Sequence, residues 1–195
     1  MANPAHKQVP LNAISAWIAK METVCIALSA LSLAAIMLIV MLDVILRYAF
    51  SAPLVWSYDL IGLYLVGAVF FFALSDTMQQ HGHIALDVFQ PMIPHRIKHA
   101  ALSLGFAAST AFVLAIAWLE LKEALHTYAA DERIAAIVPM PTWVSHLVLT
   151  IGVGVLVLRC AYRTVFHALS AIAGRDLVEL PPPPITDLTA AEHAE

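Results

Sequence analysis

The sequence predicts an all-α integral membrane protein with four transmembrane helices and a short interfacial helix between the second and third. Three observations predict it. The chain of 195 residues is 61% hydrophobic and only 12% charged, where a soluble domain is about 45–50% apolar and about 25% charged. Four segments are long and apolar enough, or nearly so, to cross a bilayer core about 30 Å thick, which takes roughly 20 helical residues. The charges gather at the ends of these segments and leave their middles apolar.

The first apolar run is Thr23–Leu42. It exceeds the apolar core of about 7–15 residues of a secretory signal, and no small-residue cleavage motif follows it. It reads as an uncleaved first span. The second, Leu60–Ser75, and the fourth, Trp143–Leu158, are slightly short, but Trp56, Tyr58, Trp143 and Arg159 extend them into the interface. The third, Ala100–Leu119, reads as part of a helix from near Pro94 to about Tyr128, long enough to tilt or project beyond the lipid.

Between the second and third spans, residues 84–93 are too few to cross. They hold Ile84, Leu86, Val88 and Phe89 among polar residues, as a short helix lying in the interface would. The domain organisation is therefore an N-terminal segment 1–20, a four-helix membrane domain 21–168 and a tail 169–195. The tail carries Pro181-Pro182-Pro183-Pro184 and reads as solvated and disordered.

Lys7, Lys20, Arg96, Lys98, Arg159, Arg163 and Arg175 fall on one side of the predicted topology. Only Arg47, Lys122 and Arg133 fall on the other. The positive-inside rule then puts both termini and the middle loop in the cytoplasm. Cys25 and Cys160 lie toward that side, match no metal or redox spacing and read as reduced structural thiols. No basic patch suggests nucleic acid as a partner.

A charge beside a membrane segment is costly without a partner or a role. Asp43 and Arg47 stand four residues apart at the end of the first span, so they can pair on one helix face. Asp59, three residues after Trp56, suits the N-terminal turn of the second helix; the alternative is a contact with another subunit. His83 and Asp87 are again four apart, a surface pair of the interfacial segment or a contact fixing it to a partner. Ala101, Gly105 and Ser109 form a small-residue stripe on the third helix, suited to close packing inside one four-helix bundle. A stripe kept for another protein is the alternative.

The histidines admit a haem test, with His126–His146 near one face and His99–His167 near the other. His99 and His126 are roughly 40 Å apart along a helix, farther than a core about 30 Å thick allows for two haems. No cofactor or metal is expected, since His81, His83 and Asp87 lack a ligand spacing. No nucleophile–base pair or phosphate loop points to an enzyme. Nor is there a repeat with broken helices around a midplane site, as a self-sufficient carrier would show. An accessory subunit remains, with a haem b-type membrane anchor of a redox enzyme and a stand-alone channel as the other classes.

Arg47-Tyr48, Trp56-x-x-Asp59 and His83-Ile84-x-x-Asp87, followed by Pro139 to Trp143 before the last helix, resemble the small membrane subunit, DctQ type, of tripartite ATP-independent periplasmic (TRAP) transporters. The resemblance runs from about Met21 to Arg163. Two departures stand out: Asp59 replaces the commoner Glu, and Gln79-Gln80 stand where a basic residue is usual. The resemblance implies a bacterial-type inner-membrane subunit without a substrate site, surrounded by membrane lipids. It implies two protein partners, a large multi-span subunit that carries substrate and sodium, and a periplasmic substrate-binding protein. The small subunit would brace the scaffold of the large one and help dock the binding protein during organic-acid uptake. Asp43, Arg47, Trp56, Asp59, His83 and Asp87 are then its interface or structural candidates.

Overall fold

The computed structural model describes residues 12–79, 94–136, 138–174 and 178. Four long helices make up nearly all of these: α1 (Ala13–Phe50), α2 (Ser57–Gln79), α3 (His95–Ala129) and α4 (Trp143–Ala173). All four are long and apolar enough to span a membrane, so the all-α, four-span architecture holds. Residues 84–93, read as an interfacial helix, lie outside the described residues, as does the proline-rich run.

Each predicted span is contained in its helix, but the helices are longer. α1 has 38 residues and α3 has 35, or about 57 and 52 Å at 1.5 Å per residue. Either exceeds a core about 30 Å thick, so both tilt or continue past the hydrocarbon. α1 starts at Ala13, well before the apolar run, because its first turns are amphipathic. Ser15, Ile18 and Glu22 are buried along one stripe, while Ile14 and Trp17 face outward.

Helices consecutive in the chain run antiparallel, so one end of the molecule, called here the terminal end, holds the start of α1 and the end of α4. The other end holds the α1–α2 and α3–α4 turns. At the first of these, Ser51 takes φ 51° and the Ala52 N–H returns to the Leu46 carbonyl at 3.1 Å, closing α1 with a left-handed cap. At the second, Asp131 takes φ 47°, and Ile134 N–H to Met140 O (3.0 Å) and Thr142 N–H to Glu132 O (3.1 Å) narrow the loop before Trp143. Pro139 and Pro141 fit there because neither position needs to donate.

The packing departs from a closed bundle. α1 lies on α2, α2 on α4, and α4 on α3; α1 also touches α4, but α3 has no comparable contact with α1 or α2. α4 is thus the central helix, and it contributes more buried residues than any other helix. Two small apolar cores result. Cys25, Ala68, Phe72 and Val155 join α1, α2 and α4, while Met78, Leu156 and Cys160 join α2 to α4 with Phe106 and Val113 of α3 against them.

Open packing overturns one expectation. Ala101, Gly105 and Ser109 are exposed, and a Cβ on Gly105 would meet nothing within 4 Å. The stripe does not seat another of the described helices, because α3 turns a different side to α4. The close approach falls instead at Gly152 of α4, where a Cβ would lie 2.6 Å from the Phe71 carbonyl oxygen of α2.

Gly152→Ala therefore forces two backbones apart, an overpacking that costs about 1–3 kcal/mol. Gly154→Ala, inside the same helix with open space around it, is expected to leave stability unchanged or raise it by up to about 1 kcal/mol, the helix preference of alanine over glycine. Thermal unfolding of the two variants in one detergent checks the contrast.

Candidate functional site: polar clusters at the two ends of the helices

In a hydrocarbon-bounded chain, each polar side chain needs a protein partner or an exit to the interface. Among the described residues no buried side-chain nitrogen or oxygen lacks a hydrogen-bond partner. Many of these groups gather near the two ends of the helices.

At the turn end, Arg47 Nη2 donates to Asp43 Oδ2 at 2.6 Å, forming the expected pair. Asp43 does more than pair. Its Oδ1 accepts the Leu54 N–H at 2.7 Å, so one carboxylate holds both the end of α1 and the turn after it. Arg47 also reaches the Tyr58 hydroxyl at 3.5 Å. Ser57, buried at the start of α2, donates to the Leu54 carbonyl at 2.7 Å. Trp56 stands at the cap position and is partly exposed, and Asp59 lies in the first turn of α2, where an acidic group meets the positive end of the helix. The Asp59 side chain makes no hydrogen bond or ion pair to a described residue. His83 and Asp87 lie outside the described residues.

A five-residue π-helical turn, Ile61–Leu65, follows in α2. Such turns occur where one extra residue is accommodated in a helix. Tyr64 within it donates its hydroxyl to the Pro141 carbonyl at 2.6 Å, tying α2 to the loop before α4.

At the terminal end, sequence reasoning missed the principal contact. Arg159 of α4 and Glu22 of α1 are 1% and 0% exposed and form a two-pronged ion pair. Arg159 Nε donates to Glu22 Oε1 at 2.8 Å, while Nη2 donates to Oε2. Ser75 of α2 donates to the same Oε1 at 2.6 Å, and Arg159 Nη1 reaches Ser15 at 3.4 Å. Three helices therefore meet on one carboxylate. The only sequence signal was position, with Glu22 just before the first apolar run and Arg159 just after the last. On sequence grounds Arg159 reads only as extending the last span into the interface, and Glu22 does not stand out.

α3 is held to α4 by a ladder of polar and ring contacts. His99 and His167, both buried, stand Nδ1 to Nδ1 at 2.9 Å, with Phe106 stacked on the His167 ring. Ser103 donates to the Thr164 carbonyl at 3.1 Å and Thr110 meets the Thr164 hydroxyl at 3.3 Å. His146 and Glu120 are joined at 2.8 Å, and Tyr128 and Trp143 meet edge to face. The histidine pair weighed for haem is thus in direct hydrogen-bond contact. Two nitrogens across one metal stand about 4 Å apart on bonds of about 2.0 Å. The other pair does not form, because His146 bonds Glu120.

These clusters do one kind of work. They fasten helix to helix at the two ends, leaving the middle to apolar packing and to isolated interhelix bonds such as Ser29 of α1 to the Val69 carbonyl of α2, 2.8 Å. The fold and its polar groups define a multi-pass membrane protein of four spans. A family model for tripartite ATP-independent periplasmic transporters, DctQ component, matches residues 36–170. The chain belongs to that family and is a small membrane subunit of a TRAP transporter. Comparison with curated proteins and with solved structures gives no match.

Glu22→Ala leaves Arg159 buried without its counter-ion, a change that costs about 3–5 kcal/mol. The double variant Glu22→Leu, Arg159→Met is expected to recover most of that loss. A double-mutant cycle of thermal unfolding checks it.

Proposed function

We propose that this chain is the small permease subunit that braces the scaffold of the large membrane subunit and helps dock the periplasmic binding protein. The transport served is sodium-coupled uptake of an organic acid across a bacterial-type inner membrane. One observation supports the reading: among the described residues every buried side-chain nitrogen and oxygen already has a hydrogen-bond partner, and the largest of these groups join helix to helix, as Glu22 does with Arg159 and Ser75. Substrate and sodium sites then belong to the large subunit.

The distribution of basic residues supports both termini on the cytoplasmic side. The turn end then faces the periplasm. The Asp43-centred turn and the narrowed loop 130–142 are ordered surfaces there, suited to a docking partner. Extensive exposed apolar area on α1 and α3, including Leu31, Met37, Leu104 and Phe112, suits both lipid and a second membrane protein. Asp43 and Arg47 have a structural role in this reading, as they set the turn; Trp56 and Asp59, less occupied, are the stronger candidates for contact with another subunit. The same role is proposed for His83 and Asp87.

Affinity purification from native membranes tests the assignment. A larger multi-span partner is expected to co-purify, and its consistent absence would sink the proposal. Arg47→Ala and Asp59→Ala are expected to lower the yield of assembled complex or the uptake rate severalfold. The solute preference of the isolated binding protein should stay the same, which a direct binding assay checks.

A further inference from the structure

The two connections at the turn end are held by separate means. Asp43 sets the α1–α2 turn by taking the Arg47 guanidinium and the Leu54 N–H. The α3–α4 loop narrows on itself. Ile134 N–H meets Met140 O at 3.0 Å, and both the N–H and the hydroxyl of Thr142 reach Glu132 O at 3.1 Å. Because α3 has no comparable contact with α1 or α2, that helix does not relate one connection to the other.

One side chain does. Tyr64 of α2 donates its hydroxyl to the Pro141 carbonyl at 2.6 Å. No other hydrogen bond between described residues joins α1 or α2 to residues 130–142. The acceptor is open to it for a local reason. Pro141 bridges Arg133 across the loop and stands one residue before the Thr142 cap of α4, so its carbonyl takes no bond from that helix. The donor sits in the π-helical turn Ile61–Leu65, where the Val66 N–H reaches back five residues to Ile61. Single turns of this kind recur at functional sites.

We infer that Tyr64 is a positioning residue for docking. Through the Pro141 carbonyl it holds the α3–α4 loop in fixed relation to the α1–α2 turn, so that the two present one surface to the binding protein. The inference rests on the docking role proposed above. Asp131, Glu132, Arg133 and Val138 are exposed on the loop that Pro141 closes. A loop held in place before contact spares docking the entropy of ordering it. Loss of the Tyr64 hydroxyl therefore falls on the strength of docking, not on the turnover of the docked complex.

The full chain is tested in complex with the large subunit, in proteoliposomes supplied with solute-loaded binding protein. Tyr64→Phe removes the hydroxyl and keeps the ring. Amide hydrogen exchange at Ile134 and Thr142 is expected to speed up, with Leu54 in the other turn unchanged. The concentration of loaded binding protein that gives half-maximal uptake is expected to rise about two- to ten-fold, the range of one hydrogen bond, with the plateau rate per complex retained. That concentration does not depend on how many complexes assemble, so a lower yield of the variant leaves the result readable. A lower plateau with an unchanged half-maximal concentration marks a merely structural residue and overturns the inference, as does no change in either. A photo-crosslinker at position 138 separates the inference from the reading beneath it. In the unsubstituted complex it should capture the binding protein; no capture refutes docking at this loop, and the inference with it. Capture with an unchanged half-maximal concentration in Tyr64→Phe refutes the inference alone.

Discussion

The Glu22–Arg159 ion pair is the constraint on which the arrangement of the helices depends. Arg159 sits on the central helix, just after the apolar run Trp143–Leu158, and is fully buried within the protein. A guanidinium there is tolerable only with a matched carboxylate and further hydrogen bonds. Glu22 supplies two oxygens, and Ser75 and Ser15 complete the set. That requirement fixes the register of α1 and α2 against α4 at one end, with Gly152 against Phe71 closing the gap nearer the middle. Apolar packing in lipid, where water does not drive helices together, could not set the register alone.

The other end is set by a second carboxylate with a similar division of labour. Asp43 binds the Arg47 side chain and the Leu54 N–H at once, so the α1–α2 turn is defined by a side chain of the preceding helix. α3 stands apart from both clusters. It is zipped to α4 by contacts from His99–His167 to Tyr128–Trp143 and is otherwise open. A three-helix unit with one attached hairpin arm supports a bracing role better than a closed bundle would, since the arm offers large apolar faces to lipid and partners.

Much of this was legible in the sequence for a simple reason: span positions and the near partner of a costly charge are local properties. Hydropathy located all four spans, and the four-residue spacing of Asp43 and Arg47 gave their contact. The third helix, read as Pro94 to about Tyr128, is His95–Ala129. What is non-local was not legible. Glu22 and Arg159 are separated by 137 positions; Arg159 read as an ordinary interfacial charge, and nothing local drew attention to Glu22. The start of α1 at Ala13 escaped a hydropathy reading because its first turns are amphipathic. The Ala101–Gly105–Ser109 stripe was expected inside a bundle, and only the direction in which α3 faces α4 shows it outside. The π-helical turn at Ile61–Leu65 has no sequence signal that we can name, although Tyr64 marks its use.

The account rests on one claim, that this chain braces a transporter and does not itself conduct. Solute flux into liposomes that contain only the purified chain, with a sodium gradient and an organic-acid panel, tests that claim directly. The account predicts uptake no greater than in protein-free liposomes. Gradient-dependent accumulation of any solute by the chain alone would contradict it.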